Sequence, residues 1–207
     1  MRWAWDPRVF RYRDLDTGRF LRRAEVLDYV GRAVGAADVA ADQLGVFVAD
    51  GTLSPGDFGD LFKAELKSTY IQQYLLGIGG REQMTPEDWG SVGGMLHEQY
   101  RHVADFVQEV AAGNLSEAQI QARVRMYTNS SREAFERAHG RIADKAGMTE
   151  ELWSLGDAEH CPDCMDYAAE GWQPLGHFPA PGEGATQCLT NCQCHKAYRN
   201  PDTGVTL

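Results

Sequence analysis

The first 160 residues contain no cysteine, and no part of the 207-residue chain is a long apolar run. A helix that spans a membrane needs about 20 consecutive apolar residues, so we expect no membrane-spanning helix and no membrane partner. The start of the chain, Met1-Arg-Trp-Ala-Trp-Asp-Pro7, lacks the apolar segment of a secretory signal. We therefore expect the protein to fold in a cytosol, where cysteine thiols stay reduced.

The sequence also lacks the short motifs that mark common catalytic sites. It has no nucleophile elbow, no phosphate-binding P-loop, no His-Glu-x-x-His zinc motif and no dinucleotide-binding glycine pattern. Acidic residues are numerous, but none forms a distinctive pair, and we expect most of them on solvated helix faces. The sequence therefore predicts that the protein is not an enzyme.

Positive charge is scarce outside the N-terminus. The net charge of −10 argues against a protein that coats nucleic acid over its whole surface. Residues 1–23 nevertheless hold seven arginines against three aspartates, so the rest of the chain carries −14. This asymmetry indicates a basic arm on an acidic body.

The arm, residues 1–22, is predicted to contain a short hairpin. Asp16-Thr-Gly18 lies between Val9-Phe-Arg-Tyr12 and Arg19-Phe-Leu21, and Asp and Gly are typical turn residues. Two interpretations of the arm stay open at this point. Its aromatic residues could dock on a neighbouring surface and leave the arginines in water, or the arginines could contact the phosphates of a nucleic acid or a protein partner.

Residues 23–147 show the periodicity of four helices. Apolar residues recur every three or four positions from Leu27 to Val48, and Ser54-Pro55, Thr85-Pro86 and Ser116 are start signals for the next three helices. The fourth helix is predicted to continue to about Gly147. Helices with one apolar stripe bury it on each other, which gives a bundle, although some of the stripe could instead meet another protein.

Residues 148–207 differ in kind, because they are rich in Gly, Pro and Cys and show no helical period. A short strand is expected at Leu152-Trp-Ser-Leu155. A segment of this size has too small a core to hold its fold without a staple, that is, a bound metal ion or disulfide bonds. The expected fold class is therefore mainly α: a bundle of about four helices with an N-terminal basic arm and a small, cysteine-rich, zinc-ribbon-like C-terminal module.

All five cysteines lie in one 34-residue stretch inside this module: Cys161, Cys164, Cys188, Cys192 and Cys194. A C-x2-C pair at a tight turn, together with a second group of cysteines further along the chain, is the pattern of a tetrahedral zinc site. Four of the five suffice for one zinc ion. Cys161 and Cys164 are the firmest candidates, followed by Cys188 with either Cys192 or Cys194.

Other uses of this cluster stay open. His160, His177 and His195 are close enough in sequence to replace one thiolate as the fourth ligand. Disulfides are an alternative to zinc, although an odd number of cysteines leaves one thiol unpaired. A redox-active dithiol is a third possibility, but it requires a thioredoxin-like context that the sequence does not show.

The C-terminal pattern resembles the end of the phage head morphogenesis family, the Mu F-like minor head proteins. The shared residues are Trp153, Glu159-His-Cys161-Pro-Asp-Cys164 and Asn191-Cys192-Gln-Cys194, in the order in which that family runs from a helical region into its cysteine module. The family usually has a histidine where this chain has Leu189, and Cys188 is the candidate replacement. Shorter likenesses extend the resemblance to roughly residues 70–200, namely Gly79-Gly-Arg81, Met84-Thr-Pro86 and Gly171-Trp-Gln-Pro174.

The resemblance implies a non-enzymatic minor structural protein of a phage head, made in the bacterial cytoplasm and carried in the virion in several copies. Its expected partners are the portal or the major capsid protein, with DNA as a further partner through the arm, and its expected roles are in head assembly, DNA packaging or DNA exit. A zinc-ribbon-type module that binds nucleic acid in the host cytosol is the alternative. Against it, residues 148–207 contain only Lys196 and Arg199 as basic residues.

Overall fold

The computed structural model describes residues 3–207 and shows a mainly helical protein with a small sheet near its C-terminus. Five long helices form the body, and a sixth, short helix lies in the cysteine-rich module. Their bounds are α1 Arg23–Ala49, α2 Pro55–Ile78, α3 Pro86–Ala111, α4 Glu117–Ser130, α5 Arg132–Lys145 and α6 Pro162–Ala169. The strands are β1 Trp3–Asp6, β2 Arg11–Asp14, β3 Glu150–Ser154, β4 Gln173–Pro174, β5 His195–Asn200 and β6 Val205–Thr206.

The predicted helix starts are confirmed. The hydroxyl of Ser54 accepts a hydrogen bond from the backbone amide of Asp57, and Pro55 occupies the first helical position of α2. Thr85 and Ser116 cap α3 and α4 in the same way, and the backbone amide of each cap in turn donates to the side chain of the third helical residue. These bonds satisfy amides that have no partner within the helix, so the sequence fixes where each helix begins.

The predicted fourth helix is divided into two, α4 and α5, by a break at Ser131. The Ser131 hydroxyl donates to the carbonyl of Thr128, and the Ser130 hydroxyl donates to that of Tyr127, so both serines compete for carbonyls of the last turn. Tyr70 of α2 also bonds to the Ser130 hydroxyl at 2.7 Å. The break therefore depends on a contact with another helix, which the local sequence does not reveal.

Helix α2 is the centre of the bundle and packs against α1, α3 and α5. Leu61, although apolar and on the same helix, is exposed, and the fully buried residues of the aromatic and aliphatic stripe of α2 are Phe58, Phe62, Leu66, Tyr70, Tyr74 and Ile78. The stripe of α1 faces α2 and α4 within the same chain, and its buried residues include Val30, Val34 and Ala41. This finding answers the question that the sequence left open, since the α1 stripe is covered by the bundle itself.

The arm forms a hairpin, but its position differs from the prediction. Strands β1 and β2 pair antiparallel across a turn at residues 7–10, one turn earlier than expected. The expected turn at Asp16-Thr-Gly18 exists as well, but there only a single bridge joins Arg13 to Phe20. The turn of the main hairpin was missed because it contains no Asn-Gly or Asp-Gly pair, and Phe10 adopts the left-handed conformation instead.

Aromatic residues of the arm dock on the C-terminal end of α2. The indole of Trp3 donates to the carbonyl of Leu76 at 3.1 Å, and the hydroxyl of Tyr12 donates to that of Gly77 at 2.6 Å. Trp5 packs directly against Gly79, where any side chain would collide with it. The interpretation that the arm docks its aromatics is therefore confirmed, and the neighbour is the chain's own bundle.

The C-terminal module is a four-stranded antiparallel sheet in the order β4-β3-β5-β6, with α6 beside β3. The expected strand at Leu152 is confirmed as β3. The expectation that the segment contains no helix is wrong, because Cys161-Pro-Asp-Cys164 starts α6 with a proline at its first position. Tyr198 of β5 is fully buried against α5, and the guanidinium of Arg23 in α1 donates to the carbonyls of Lys196 and Leu207.

Within residues 3–207, none of the helices combines the length and the apolar character needed to cross a membrane.

Candidate metal centre

Three short segments bring the five cysteines to one place. Cys161 is the residue before α6 and Cys164 lies in its first turn. Cys188 and Cys192 flank a single 3-10 turn, Leu189–Asn191, and Cys194 comes immediately before β5. All five predicted ligands therefore converge, from residues up to 33 positions apart.

The distances between thiols suit a metal ion better than a disulfide. The sulfur of Cys164 lies 3.5 Å from that of Cys161, 3.6 Å from that of Cys188 and 3.7 Å from that of Cys192. A disulfide requires about 2.0 Å, and all five cysteines are unpaired. Zinc–sulfur bonds of about 2.3 Å place the corners of a tetrahedron about 3.8 Å apart, which is close to these separations.

The thiols form two groups of three. Cys161, Cys164 and Cys188 have sulfurs that all lie within 4.8 Å of one another, and so do Cys164, Cys192 and Cys194. Cys164 belongs to both groups. It is buried, as are Cys192 and Cys194, whereas Cys161 and Cys188 are half-buried. The cluster thus has a closed inner side and an outer side that solvent can reach.

One of the three candidate histidines lies beside the cluster. Nδ1 of His160 is 3.7 Å from the sulfur of Cys194. Nε2 of His177 instead contacts the carboxylate of Glu170 at 2.8 Å on the surface. His195 is the first residue of β5 and lines a cavity together with Arg132 and Cys194, but no contact joins its ring nitrogens to a cysteine sulfur among the described residues. The structure therefore selects His160 as the histidine that the sequence could not choose.

Trp153 closes the inner side of the cluster. It is fully buried, and its ring contacts the rings of Tyr167 and Phe178, which together with the cysteines form the core of the module. Its indole nitrogen has no nitrogen or oxygen partner among residues 3–207. The pKa of the Cys194 thiol is lowered chiefly by the Cys192 thiol and to a smaller degree by this indole. A donor aimed at a sulfur is what a metal-bound thiolate needs around it.

The thiols change each other's pKa values. Hydrogen bonding with the Cys192 thiol lowers the pKa of Cys194 to about 5, against the effect of burial. The same contact raises the pKa of Cys192, and burial adds to the rise. Burial also raises the pKa of Cys164, and its neighbouring thiols act in the same direction. Several buried thiols ionise together only when a cation compensates their charge, so the set fits a metal ion.

Two side chains that the sequence did not single out hold the cluster's parts in register. Both carboxylate oxygens of Asp163 in α6 accept hydrogen bonds from Gln187, one from its backbone amide at 2.8 Å and one from its side-chain amide at 2.9 Å. The hydroxyl of Thr186 lies 3.2 Å from the sulfur of Cys188. The position of Asp163 between the two cysteines of the C-x2-C pair was the available signal.

Chemically, the arrangement offers a soft metal ion a set of thiol sulfurs with one imidazole at its edge. Such donors favour zinc over magnesium or calcium, which prefer oxygen ligands. Comparison with known proteins finds no matching family model, no matching curated protein and no matching solved structure. The resemblance to the phage head proteins therefore stays a prediction, and the site is characterised by its own geometry.

Proposed function

We propose that the cysteine cluster binds zinc as a structural ion that fixes residues 148–207. The observation that carries this proposal is the convergence of five unpaired thiols: three sulfurs lie 3.5–3.7 Å from that of Cys164, and the fourth, that of Cys194, lies within 4.8 Å of it. The module's apolar core consists largely of the same cysteines together with Trp153 and Phe178. A core of this size needs a staple, and four thiolates from the five cysteines are enough for one closed tetrahedral ion.

Metal analysis of the reduced, full-length protein tests the zinc proposal. We expect zinc to co-purify and to be retained through gel filtration, and we expect chelation to abolish the near-ultraviolet circular dichroism of the buried Trp153. The helical signal at 222 nm serves as the internal control for the bundle. Protein without metal but with an unchanged aromatic signal would overturn the proposal.

We further propose that the chain is a non-enzymatic minor structural protein of a phage head. On this proposal it assembles with the portal or the major capsid protein in the bacterial cytoplasm and is carried in the virion. The sequence resemblance in the cysteine module supports it, and so does the presence of a helical body joined to a stapled C-terminal module, the order of parts expected from that family. The role is architectural, in head assembly, DNA packaging or DNA exit.

Contact with DNA through the arm is not favoured by the arrangement of its arginines. Arg8 and Arg13 pair with Asp6, and Arg19 and Arg22 pair with Glu25. These partners compete with phosphate for the guanidinium groups. For this reason the proposal places portal or capsid protein, rather than nucleic acid, first among the partners.

Co-expression tests the assembly proposal. The chain is produced with a phage portal protein and, separately, with a major capsid protein, and each mixture is sedimented through a sucrose gradient. We expect the chain to move with portal rings or with capsid shells, and to be present in purified virions by mass spectrometry. Sedimentation as a free protein in both mixtures, together with absence from virions, would overturn the proposal.

A further inference from the structure

We propose that the cluster holds two metal ions that share the thiolate of Cys164. This inference rests on the proposed zinc function and goes beyond it, because one closed zinc ion needs only four donors. Cys164 would hold one ion together with Cys161 and Cys188, and it would hold the second ion together with Cys192 and Cys194. These two groups are called the two sides of the cluster. The shared sulfur explains why the chain brings five thiols together, an odd number that neither one zinc ion nor disulfide pairing uses in full.

The positions of the sulfurs carry the argument. Each group of three has all its sulfurs within 4.8 Å of one another, and Cys164 is the only residue that the two groups share. Its sulfur is within 3.5–3.7 Å of sulfurs from both sides, Cys161 and Cys188 on one and Cys192 on the other. A bridging thiolate occupies a corner common to two tetrahedra, which is the position that Cys164 has here.

His160 is the fourth donor on the side of Cys192 and Cys194. Its Nε2 lies 3.0 Å from the backbone carbonyl of Gly156, so the proton of the neutral ring belongs on Nε2. Nδ1 then carries the free lone pair, and this atom is the one that lies 3.7 Å from the sulfur of Cys194. A carbonyl that fixes the tautomer of a histidine from its far side is the usual support of a metal-binding imidazole.

On the other side, the fourth position faces solvent. Cys161 and Cys188 are half-buried, and the hydroxyl of Thr186 is 3.2 Å from the sulfur of Cys188. Water or this hydroxyl completes the coordination there. The net charge of the cluster also favours two ions. Two divalent ions with five thiolates carry a net charge of about −1, whereas one ion would leave a net charge of about −3 or keep a buried thiol protonated.

Native mass spectrometry of the full chain, titrated with Zn²⁺ after removal of metal under reducing conditions, counts the ions. We expect two per chain, bound with loss of five thiol protons. Loading with ¹¹³Cd²⁺ should give two cadmium resonances, each split by the other through the shared sulfur. One zinc ion per chain that restores the folded module would overturn the two-ion inference and leave the structural zinc proposal standing, whereas no bound ion would overturn both.

Variants separate the two sides. His160→Ala should lower the retained zinc from two ions to one, while His177→Ala, an exposed histidine of the same module, should leave two. Cys161→Ser should also leave one ion, on the side of Cys192 and Cys194. Since Cys164→Ser is expected to lose both ions and to unfold the module, the histidine pair is the decisive comparison. Two ions retained in His160→Ala would remove His160 from the proposed ligand set and overturn the inference in this form.

Discussion

Gly77 of α2 packs directly against the backbone carbonyl of Phe135 in α5, and a Cβ atom at position 77 would overlap that oxygen and lie 2.7 Å from the Cβ of Ala138. The approach is close because neither helix places a larger side chain between the two backbones. The same glycine presents its carbonyl to the hydroxyl of Tyr12. Three parts of the chain, the arm, α2 and α5, therefore meet at Gly77.

We predict that Gly77→Ala destabilises the protein by about 2–4 kcal/mol, because the backbones of α2 and α5 would have to separate. Gly93→Ala in α3 is the matched control, since nothing lies within 4 Å of a Cβ added there. That change should be neutral or stabilise by up to about 1 kcal/mol through helix propensity. Urea unfolding followed at 222 nm measures both, and equal effects of the two substitutions would contradict the packing account.

A buried ion pair joins β3 to β5, and its loss should be costly. Nζ of Lys196 lies 3.1 Å from the carboxylate of Glu151, which is only 1% exposed and also accepts the backbone amide of Phe178. Lys196→Met leaves that carboxylate buried without its cation, so we expect a loss of about 3–5 kcal/mol. Thermal unfolding of the metal-loaded protein provides the measurement.

The neighbouring pair on the same two strands, Arg199 with Glu150, is the control for this prediction. Both of its side chains are partly exposed, so Arg199→Met should cost only about 1 kcal/mol, including the loss of its stacking on Trp172. If the two methionine variants have equal melting temperatures, burial does not set the strength of the Lys196 pair.

Two buried groups on α5 should give opposite pH dependences. Burial raises the pKa of Glu136 from 4.5 to about 7, although the Lys196 amide and the charges of Lys196, Arg23 and Arg132 oppose the rise. The stability that protonated Glu136 contributes is fully present below pH 4.5 and is lost as the pH rises through about 7. Burial lowers the pKa of His139 from 6.5 to about 3, so its contribution is present above pH 6.5 and is lost as the pH falls.

Between pH 4.5 and 6.5 these two slopes cancel, and His195, whose pKa burial lowers to about 4, adds a slope of the same sign as that of His139. We predict that Glu136→Gln steepens the rise of unfolding free energy with pH by about 1.4 kcal/mol per pH unit in this interval. His139→Phe, whose ring neighbours are aromatic, should reduce the rise by the same amount. Urea titrations at pH 5 and pH 6.5 give the slopes, and unchanged slopes would show that neither group has a shifted pKa.

The pairing of the arm's arginines predicts that they do not bind DNA. Replacing Arg8 and Arg13, which pair with Asp6, together by alanine should leave the affinity for duplex DNA unchanged, as measured by fluorescence anisotropy at low and moderate salt. The double substitution Arg101→Ala with Arg125→Ala, on the helical body, is the control for a loss of charge alone. Salt-dependent binding that disappears only in the arm variant would establish the arm as a nucleic-acid contact.

Local signals predicted much of this fold. The helix starts could be predicted at Ser54, Thr85 and Ser116, because a capping side chain bonds to a backbone amide within four residues. Helix α2 could be predicted because its apolar stripe is long and continuous. The division at Ser131 was not predictable, since the hydroxyl of Tyr70 that supports it is 60 residues away. The hairpin was placed one turn too late for a similar reason, because the docking of Trp3 and Tyr12 on α2 decides which residues pair.

For the candidate site, cysteine spacing predicted the five converging residues but not their division into two groups around Cys164. His160 could not be chosen over His177 and His195 from spacing alone, because the choice depends on how the segment before α6 turns back towards Cys194. The position of Trp153 beside Cys194 could not be predicted from spacing either, because the two residues are 41 positions apart in the chain.

Strand β5 begins at the residue after Cys194 and carries Tyr198 into the surface of α5. Its main partner β3 is distant in sequence, with Lys196 and Glu151 separated by 45 residues, so β5 docks late compared with the locally connected helices. If the module binds zinc as proposed, a chain synthesised without enough zinc would have a folded bundle with a loose C-terminal tail, and proteases cut such tails first. On that proposal, zinc supply during synthesis decides how many newly made copies survive.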